Sequence, residues 1–300
     1  MLDRASTFAN PGLLELLRTR FVPVAIDQAY QRRQKDSEGD FYRRIAAQSP
    51  RHDFDSTTQG FYVATAAGEL LLYNNNRDPA KVERLVRDAL ARFAQRAPGG
   101  QETAPLEVGE VDRRWHPKVP EGGFALRVHG KVLGGYPAPE DDWQRILQTA
   151  ISRDNLWVTG AEHRALVRGE LPQSLLRRIA HFHLVDGTRG EPPMWKPEEV
   201  QRIEIVRQGD RLQGEVVLQT EDGARRFAAQ VLGFVEVIEG KVTRFDLVAR
   251  GLFRGEGTYT KNGPPGDFPF AVSLTLADGS DVADAIPPQG SRGWIEGYLR

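Results

Sequence analysis

The sequence predicts an α+β protein, in which an α/β N-terminal domain is followed by a helical segment and a curved antiparallel β-sheet or barrel-like domain. In the first third of the chain, apolar residues recur at helical spacing on both sides of a short apolar run at 21–26. From residue 200 onward apolar and polar residues alternate, which is the period of a strand. Because 300 residues exceed the usual size of one domain, we expect three segments, 1–97, 98–199 and 200–300.

The N-terminal elements follow from capping residues and apolar spacing. Asn10-Pro11 predicts the start of a helix, since Asn is a favoured N-cap and Pro a favoured first helical residue. The run Phe21-Val-Pro-Val-Ala-Ile26 comes next and predicts a buried strand. Residues 36–48 predict a second helix, which Ser49-Pro50 ends because the residue before a proline disfavours helical backbone.

A hairpin and a third helix complete this domain. Residues 60–73 hold two apolar runs around a tight Ala67-Gly68 turn, which predicts a β-hairpin. Asp78-Pro79 predicts the next helix start, and apolar residues continue at helical spacing to Phe93. The best linker in the chain is Ala97-Pro-Gly-Gly100, where we place the domain boundary.

The order helix, strand, helix, hairpin, helix resembles a thioredoxin-like domain over most of residues 1–97. The resemblance is carried by Phe21-Val-Pro-Val-Ala-Ile-Asp27, by Thr58-Gln-Gly-Phe-Tyr-Val63 and by the Ala67-Gly68 turn. Domains of that family have a first strand and a Cys-x-x-Cys motif, for which the chain has neither room nor cysteine, and Thr57-Thr58-Gln59 stands where the family has a cis-proline. The resemblance therefore implies the fold without disulfide exchange, which needs a thiolate.

The middle segment is mixed and the C-terminal segment is β. Residues 124–133 predict a strand or hairpin, which we expect to fill the sheet position left by the missing first strand. Helices are expected at 140–151, after the capping box Thr159-Gly-Ala-Glu162, and at 172–182. Gly233 and Gly251 predict bulges in two long strands. An antiparallel meander is predicted from five runs, at 200–206, 213–219, 226–238, 241–253 and 268–276.

Composition restricts the function. The net charge is −1, whereas nucleic-acid and anionic-membrane binding normally leave a basic excess, so we expect a small molecule or a protein as partner. The count of 0 cysteines excludes disulfides, thiolate catalysis and cysteine-ligated metals. Without an apolar run of about 18 residues we expect no membrane span. The chain as it stands predicts a cytoplasmic protein, or an exported one if a leader has been removed.

One histidine cluster suggests metal binding. If His181-Phe-His183 is extended, both imidazoles lie on one face, which suits a divalent transition metal as cofactor. His163, Glu162 and Asp186 supply further ligands nearby in the sequence. If a helix continues instead, the two rings diverge by about 200° and the histidines are structural. The sequence leaves both interpretations open.

The loop at 186–195 is a second candidate site, in this case for binding a ligand or cofactor. Arg189 would orient an anionic ligand or cofactor and Trp195 would form a wall of its pocket. In the alternative, the loop is a rigid crossover, in which Arg189 and Glu191 satisfy each other and the tryptophan fills the core.

Three functions remain from the sequence. The first is a non-redox thioredoxin-like protein whose β domain binds a ligand or a protein. The second is a metal-dependent enzyme that uses His181, His183 and His163. The third is an N-terminally shortened thiol–disulfide redox protein whose cysteines lay before Met1. The sequence contains no recognised catalytic template such as a Walker loop, a nucleophile elbow or His-Glu-x-x-His.

Overall fold

The computed structural model describes residues 6–95 and 109–300. They divide into two compact units, which we call the N-terminal unit, Ser6–Pro117 with Arg292–Trp294, and the sheet unit, Lys118–Ser291 with Ile295–Arg300. The predicted linker at 97–100 lies outside the described residues. In the ranges that are described, no helix combines the length and the apolar character needed to cross a membrane.

Helices and one hairpin form the N-terminal unit. The predicted caps Asn10 and Asp78 are present, and Asp36 is a third cap: each accepts a backbone N–H at a helix start. The elements are α1 (Pro11–Arg20), α2 (Gln28–Gln31), α3 (Ser37–Ala46), β1 (Phe61–Ala64), β2 (Leu70–Asn74) and α4 (Pro79–Ala94). A small core joins α1, the hairpin and α4, and it includes Leu13, Val63, Leu72, Val82 and Val86.

The strand predicted at 21–26 does not form. Residues 21–27 have no regular secondary structure, and Val22 and Val24 are 89% and 76% exposed. A strand requires a neighbour for its backbone hydrogen bonds, and in the described part of this unit β1 and β2 pair only with each other. The apolar run was therefore not sufficient for a buried strand.

The sheet unit is built on one seven-stranded antiparallel sheet in the order β4-β3-β9-β8-β7-β6-β5. The sheet is open, with β4 and β5 at its edges, so the predicted barrel does not close. Its strands are β3 (Phe124–Val132), β4 (Ile151–Val158), β5 (Val200–Gln208), β6 (Arg211–Gln219), β7 (Arg226–Ile238), β8 (Lys241–Arg254) and β9 (Phe268–Leu276). Its helices are α5 (Asp142–Thr149), α6 (Gly160–Val167), α7 (Gln173–Arg178) and α8 (Ile295–Leu299).

Two strands from the middle of the chain belong to this sheet. β3 was expected in the N-terminal sheet, but it lies between β4 and β9. β4 was not predicted, because its first half, Ile151-Ser-Arg-Asp-Asn155, lacks the apolar alternation of a strand. Residues 118–199 and 200–291 therefore form one unit.

One face of the sheet covers the main core. Phe227, Phe253 and Phe270 lie at its centre, with ring centroids 5.3–5.7 Å apart, and α6 and α7 contribute Leu166, Leu175 and Leu176. The opposite face of β6 to β8 carries mainly exposed or half-buried residues.

Gly251 lies in a regular ladder instead of a bulge. It pairs with Ala229, and Gly233 pairs with Leu247, while the register shift between β7 and β8 lies at Glu236 and Val237. A Cβ atom on Gly251 would lie 1.9 Å from the Ala228 carbonyl oxygen. Glycine is therefore required here by the close approach of the neighbouring backbone.

We expect Gly251→Ala to lower the free energy of unfolding by about 1–3 kcal/mol, because the added methyl group forces the two strands apart. Gly134→Ala is the matched control, since a Cβ there would meet its nearest atom at an ordinary 3.6 Å. Urea unfolding followed by circular dichroism measures both. Equal unfolding midpoints for the two variants would contradict the close-approach explanation.

Candidate functional site

The predicted metal-binding residues are spread over α6, the turn after α7 and the loop at 186–195, and His181 and His183 are in a helical turn. Residues Ile179–His183 form one π-helical turn that continues α7, in which Leu184 N donates to Ile179 O at 3.1 Å. Because the segment is helical, the two imidazoles do not share one face. This is the second of the two conformations that the sequence left open.

His183 is buried between Tyr298 and Asp154. Its Nε2 lies 2.6 Å from the Tyr298 hydroxyl, and its Nδ1 lies 3.1 Å from Asp154 Oδ2. Burial raises the pKa of Tyr298 well above the usual 10.0, so the hydroxyl stays protonated. It therefore donates a hydrogen bond to Nε2. The Nδ1 proton then faces Asp154, although the two atoms are not aligned as a hydrogen bond.

The Asp154 carboxylate is held by backbone groups. Its Oδ1 accepts the N–H groups of Asn155 and Gln289, at 2.8 and 2.9 Å. Asp154, His183 and Tyr298 therefore connect β4, the π-helical turn and α8. His183 Nε2 is occupied by this contact and is not presented to a metal ion or a substrate.

Glu162 has a structural position at the start of α6. It completes the predicted capping box with Thr159, accepts the Ser174 hydroxyl at 2.7 Å and forms a buried ion pair with Arg178. The Arg178 guanidinium also lies 5.5 Å from the centre of the Tyr298 ring. The carboxylate is fully engaged by neutral and cationic donors.

The other two histidines of the predicted metal site, His163 and His181, have neighbours other than His183. His163 Nδ1 is 2.8 Å from the Gly122 carbonyl, and its Nε2 accepts the Val242 N–H at 3.3 Å. His181 stacks on Phe182 with ring centroids 4.1 Å apart, and burial lowers its pKa. Over residues 6–95 and 109–300, no three His, Cys, Asp or Glu side chains are placed to hold a metal ion. The predicted metal site is therefore not supported.

Asp186 and Arg189 are paired inside the loop at 186–195. Arg189 lies 2.6 Å from Asp186 Oδ2, donates to the Thr260 carbonyl and lies 3.3 Å from Glu256. Asp186 Oδ1 also accepts the Thr188 hydroxyl at 2.6 Å. The arginine predicted to bind an anion thus has its charge compensated by neighbouring carboxylates.

Trp195 fills the core of the sheet unit. Its side chain is fully buried, its Nε1 donates to the Leu184 carbonyl at 2.8 Å, and the Arg225 guanidinium lies 3.9 Å from its ring centre. The tryptophan therefore fills the core, as the alternative interpretation expected, while the carboxylates beside Arg189 are those of Asp186 and Glu256 instead of the predicted glutamate partner.

The cleft beside Asp154 and His183 is small. Its walls come from β3, β4, the π-helical turn and the loop after it, and include Val128, Ser152, Phe182, Pro192 and Gln289. It has room for little more than a water molecule. A cleft of this size can hydrate the Asp154 carboxylate but does not enclose an organic substrate.

The outer face of β7 and β8 carries a feature that our sequence analysis missed. Leu232 lies opposite Val248 and is 66% exposed, and Leu252 and Phe234 on the same face are also exposed. We call Leu232, Phe234, Val248 and Leu252 the apolar patch. The signal was present in β7, where Leu232 and Phe234 are apolar at positions alternate to the buried Val231 and Val235.

Arginines surround the apolar patch. The guanidinium groups of Arg211 and Arg244 lie 5.9 and 4.9 Å from the centre of the Phe234 ring. Arg244 is paired with Glu236 and Asp246. Arg250, on the same face of β8, has no carboxylate within ion-pair distance in the described ranges.

Comparison with known proteins finds no family model that matches the chain, no similar curated protein and no similar solved structure. The function is therefore argued from the geometry of the chain itself.

We expect Tyr298→Phe to lower the free energy of unfolding by about 1–3 kcal/mol, since it leaves the buried His183 Nε2 without a donor. The control is Tyr259→Phe, which removes a hydroxyl from a side chain that is 69% exposed. Urea unfolding measures both variants. A Tyr298→Phe protein as stable as the control would show that the contact with His183 contributes nothing.

His181 should make stability depend on pH. Burial lowers its pKa in the folded protein from the usual 6.5, so near that pH the unfolded chain binds more protons. Stability should therefore fall as pH drops through 6.5 and level off below the folded-state pKa. His181→Phe keeps an aromatic ring beside Phe182 but cannot titrate, so its unfolding free energy should fall less over this range. Parallel curves for the two proteins would contradict the assignment.

Proposed function

We propose that this is a non-catalytic binding protein whose sheet unit docks a partner protein on the outer face of β7 and β8. The observation that carries the proposal is the apolar patch, where Leu232 and Val248 are neighbours across two strands and both are exposed. Single exposed apolar residues are ordinary, but contiguous ones mark interaction surfaces.

The energetics favour a protein partner over a small ligand. The patch lies on an open sheet face, so a small molecule there would remain largely in water. A flat protein surface can cover all four side chains, and each one fully buried contributes about 1.5–3 kcal/mol. This gain has to offset the loss of translational and rotational freedom on association.

Charge indicates the chemistry of the partner. Arg250 flanks Leu252 and Val248 on β8, and Arg226 precedes Ala228 on the same face of β7. Neither arginine has a carboxylate within ion-pair distance among the described residues. We therefore expect a partner surface with apolar side chains beside carboxylates, and an association rate that falls with rising salt.

The polar groups considered for catalysis support a binding role. Glu162 is occupied by Arg178 and Ser174, and Arg189 by Asp186. His183 is held by Tyr298. In each case the group stabilises the fold by compensating a buried donor or charge, and none faces a cavity of substrate size.

For the N-terminal unit we propose a thioredoxin-like module that has no redox role. Its support is the order of α1, α3, the hairpin and α4 along the chain, while the segment 21–26 stands at the place of a strand but does not form one. With 0 cysteines in the chain, the module would act through its surface.

Leu232→Glu should abolish partner binding while the fold is kept, because Leu232 is mostly exposed. A photo-crosslinking residue at Gln230, two positions away on the same face, would capture the partner in cells. Val282→Glu is the matched control, since it places the same charge at an apolar residue that is 91% exposed outside the patch.

The expected result is one crosslinked species that is present in the parent and in Val282→Glu and is lost in Leu232→Glu. A crosslinked species that persists in Leu232→Glu, or that disappears equally in both variants, would refute the patch as the docking surface. Circular dichroism melts of the three proteins verify that the fold is retained.

A further inference from the structure

Residues 22–26 of the N-terminal unit form an exposed stretch outside any helix or strand. Phe21 and Asp27 both have extended backbone, with φ of −134° and −88°. No residue between them has a positive φ. Residues 22–26 are all exposed, and the apolar side chains of Val22, Val24 and Ile26 stand at alternate positions.

The backbone of this segment is available for pairing. In the described part of the chain, the N–H groups of Val22, Val24, Ala25 and Ile26 have no hydrogen-bond acceptor. Unpaired strand-like backbone with β-branched side chains is a template for the addition of another strand. A second extended chain would supply acceptors for these N–H groups.

We propose that the segment pairs with the same segment of a second copy of this chain, as an antiparallel two-stranded ladder centred on Val24. In this register Val24 lies opposite its own copy and Val22 lies opposite Ile26. All three apolar side chains then fall on one face of the ladder, since residues that are opposite each other point the same way.

Proline determines which residues exchange hydrogen bonds. Pro23 has no N–H and is tolerated only at a non-hydrogen-bonded position. In the ladder centred on Val24, Pro23 lies opposite Ala25. When the Val24 pair is hydrogen-bonded, the neighbouring pair of Pro23 and Ala25 is not, because the two kinds of pair alternate. The missing N–H therefore costs no ladder hydrogen bond.

Charge at the ends favours a second copy in antiparallel orientation. Arg20 ends α1 just before the segment, and Asp27 follows it. Antiparallel pairing brings Arg20 of one copy to the end of the ladder where Asp27 of the other copy lies. Parallel pairing would place arginine beside arginine. The two ends of the segment are thus complementary to each other.

This inference is independent of the proposed docking surface, because it uses the segment 21–26 of the N-terminal unit and not the apolar patch. A two-stranded ladder is only marginally stable in water. The dimer should therefore dissociate on dilution.

Sedimentation velocity from micromolar to millimolar concentration tests the pairing. The parent should change from monomer to dimer. Val24→Pro removes the central N–H and should give a monomer throughout, whereas Ala25→Pro removes an N–H from a non-hydrogen-bonded pair and should still dimerise. A parent that stays monomeric at millimolar concentration overturns the proposal, as does loss of the dimer in both variants or in neither.

Cysteine crosslinking tests the register, and the chain itself contributes 0 cysteines to the background. Val24→Cys should form an intermolecular disulfide on mild oxidation, since residues opposite each other in a hydrogen-bonded pair have Cα atoms about 5.5 Å apart. Val22→Cys alone should crosslink slowly, and a mixture of Val22→Cys and Ile26→Cys should crosslink quickly. Equal crosslinking rates for Val24→Cys and Val22→Cys overturn the register centred on Val24. This test also applies if Val24→Pro fails to fold.

Discussion

Backbone N–H and C=O groups need hydrogen-bond partners, and this requirement shapes both units. In the sheet unit it brings β3 and β4, which lie far from β5 to β9 in the sequence, into one sheet, because β9 pairs with β3 on one side and with β8 on the other. In the N-terminal unit the same requirement is met only by β1 and β2 among the described strands. The strand-like residues 21–26 are consequently left exposed.

A second constraint acts on the buried charges. Arg178 and Arg189 are almost fully buried, and each lies against a buried carboxylate, Glu162 and Asp186 respectively. Leaving one of these charges unpaired in the interior costs several kcal/mol. Pairing removes that cost. It also leaves neither the arginine nor its carboxylate available to bind a ligand. Residues that look like ligands when they are close in sequence therefore serve as anchors: Glu162 joins α6 to α7, and Asp186 holds Arg189 inside the loop at 186–195.

Within the described ranges, the apolar patch and the segment 21–26 each expose several apolar side chains together. The apolar patch exposes side chains on a sheet face whose backbone is fully paired, so what it lacks is a covering surface. The segment 21–26 exposes side chains and unpaired backbone together, so what it lacks is a strand. The two surfaces call for different partners because their unsatisfied groups differ.

The sequence by itself determined the local elements of this protein. Asn10 and Asp78 marked helix starts, Thr159 and Glu162 marked a capping box, and alternation marked β5 to β9, because caps and periodicity act over a few residues. Only the tertiary structure decided that residues 21–26 lack a neighbour, that β3 joins the large sheet, and that His183 meets Tyr298 115 positions away. Pairing and burial depend on which distant segments contact each other in the fold, and the spacing of residues along the chain does not determine those contacts.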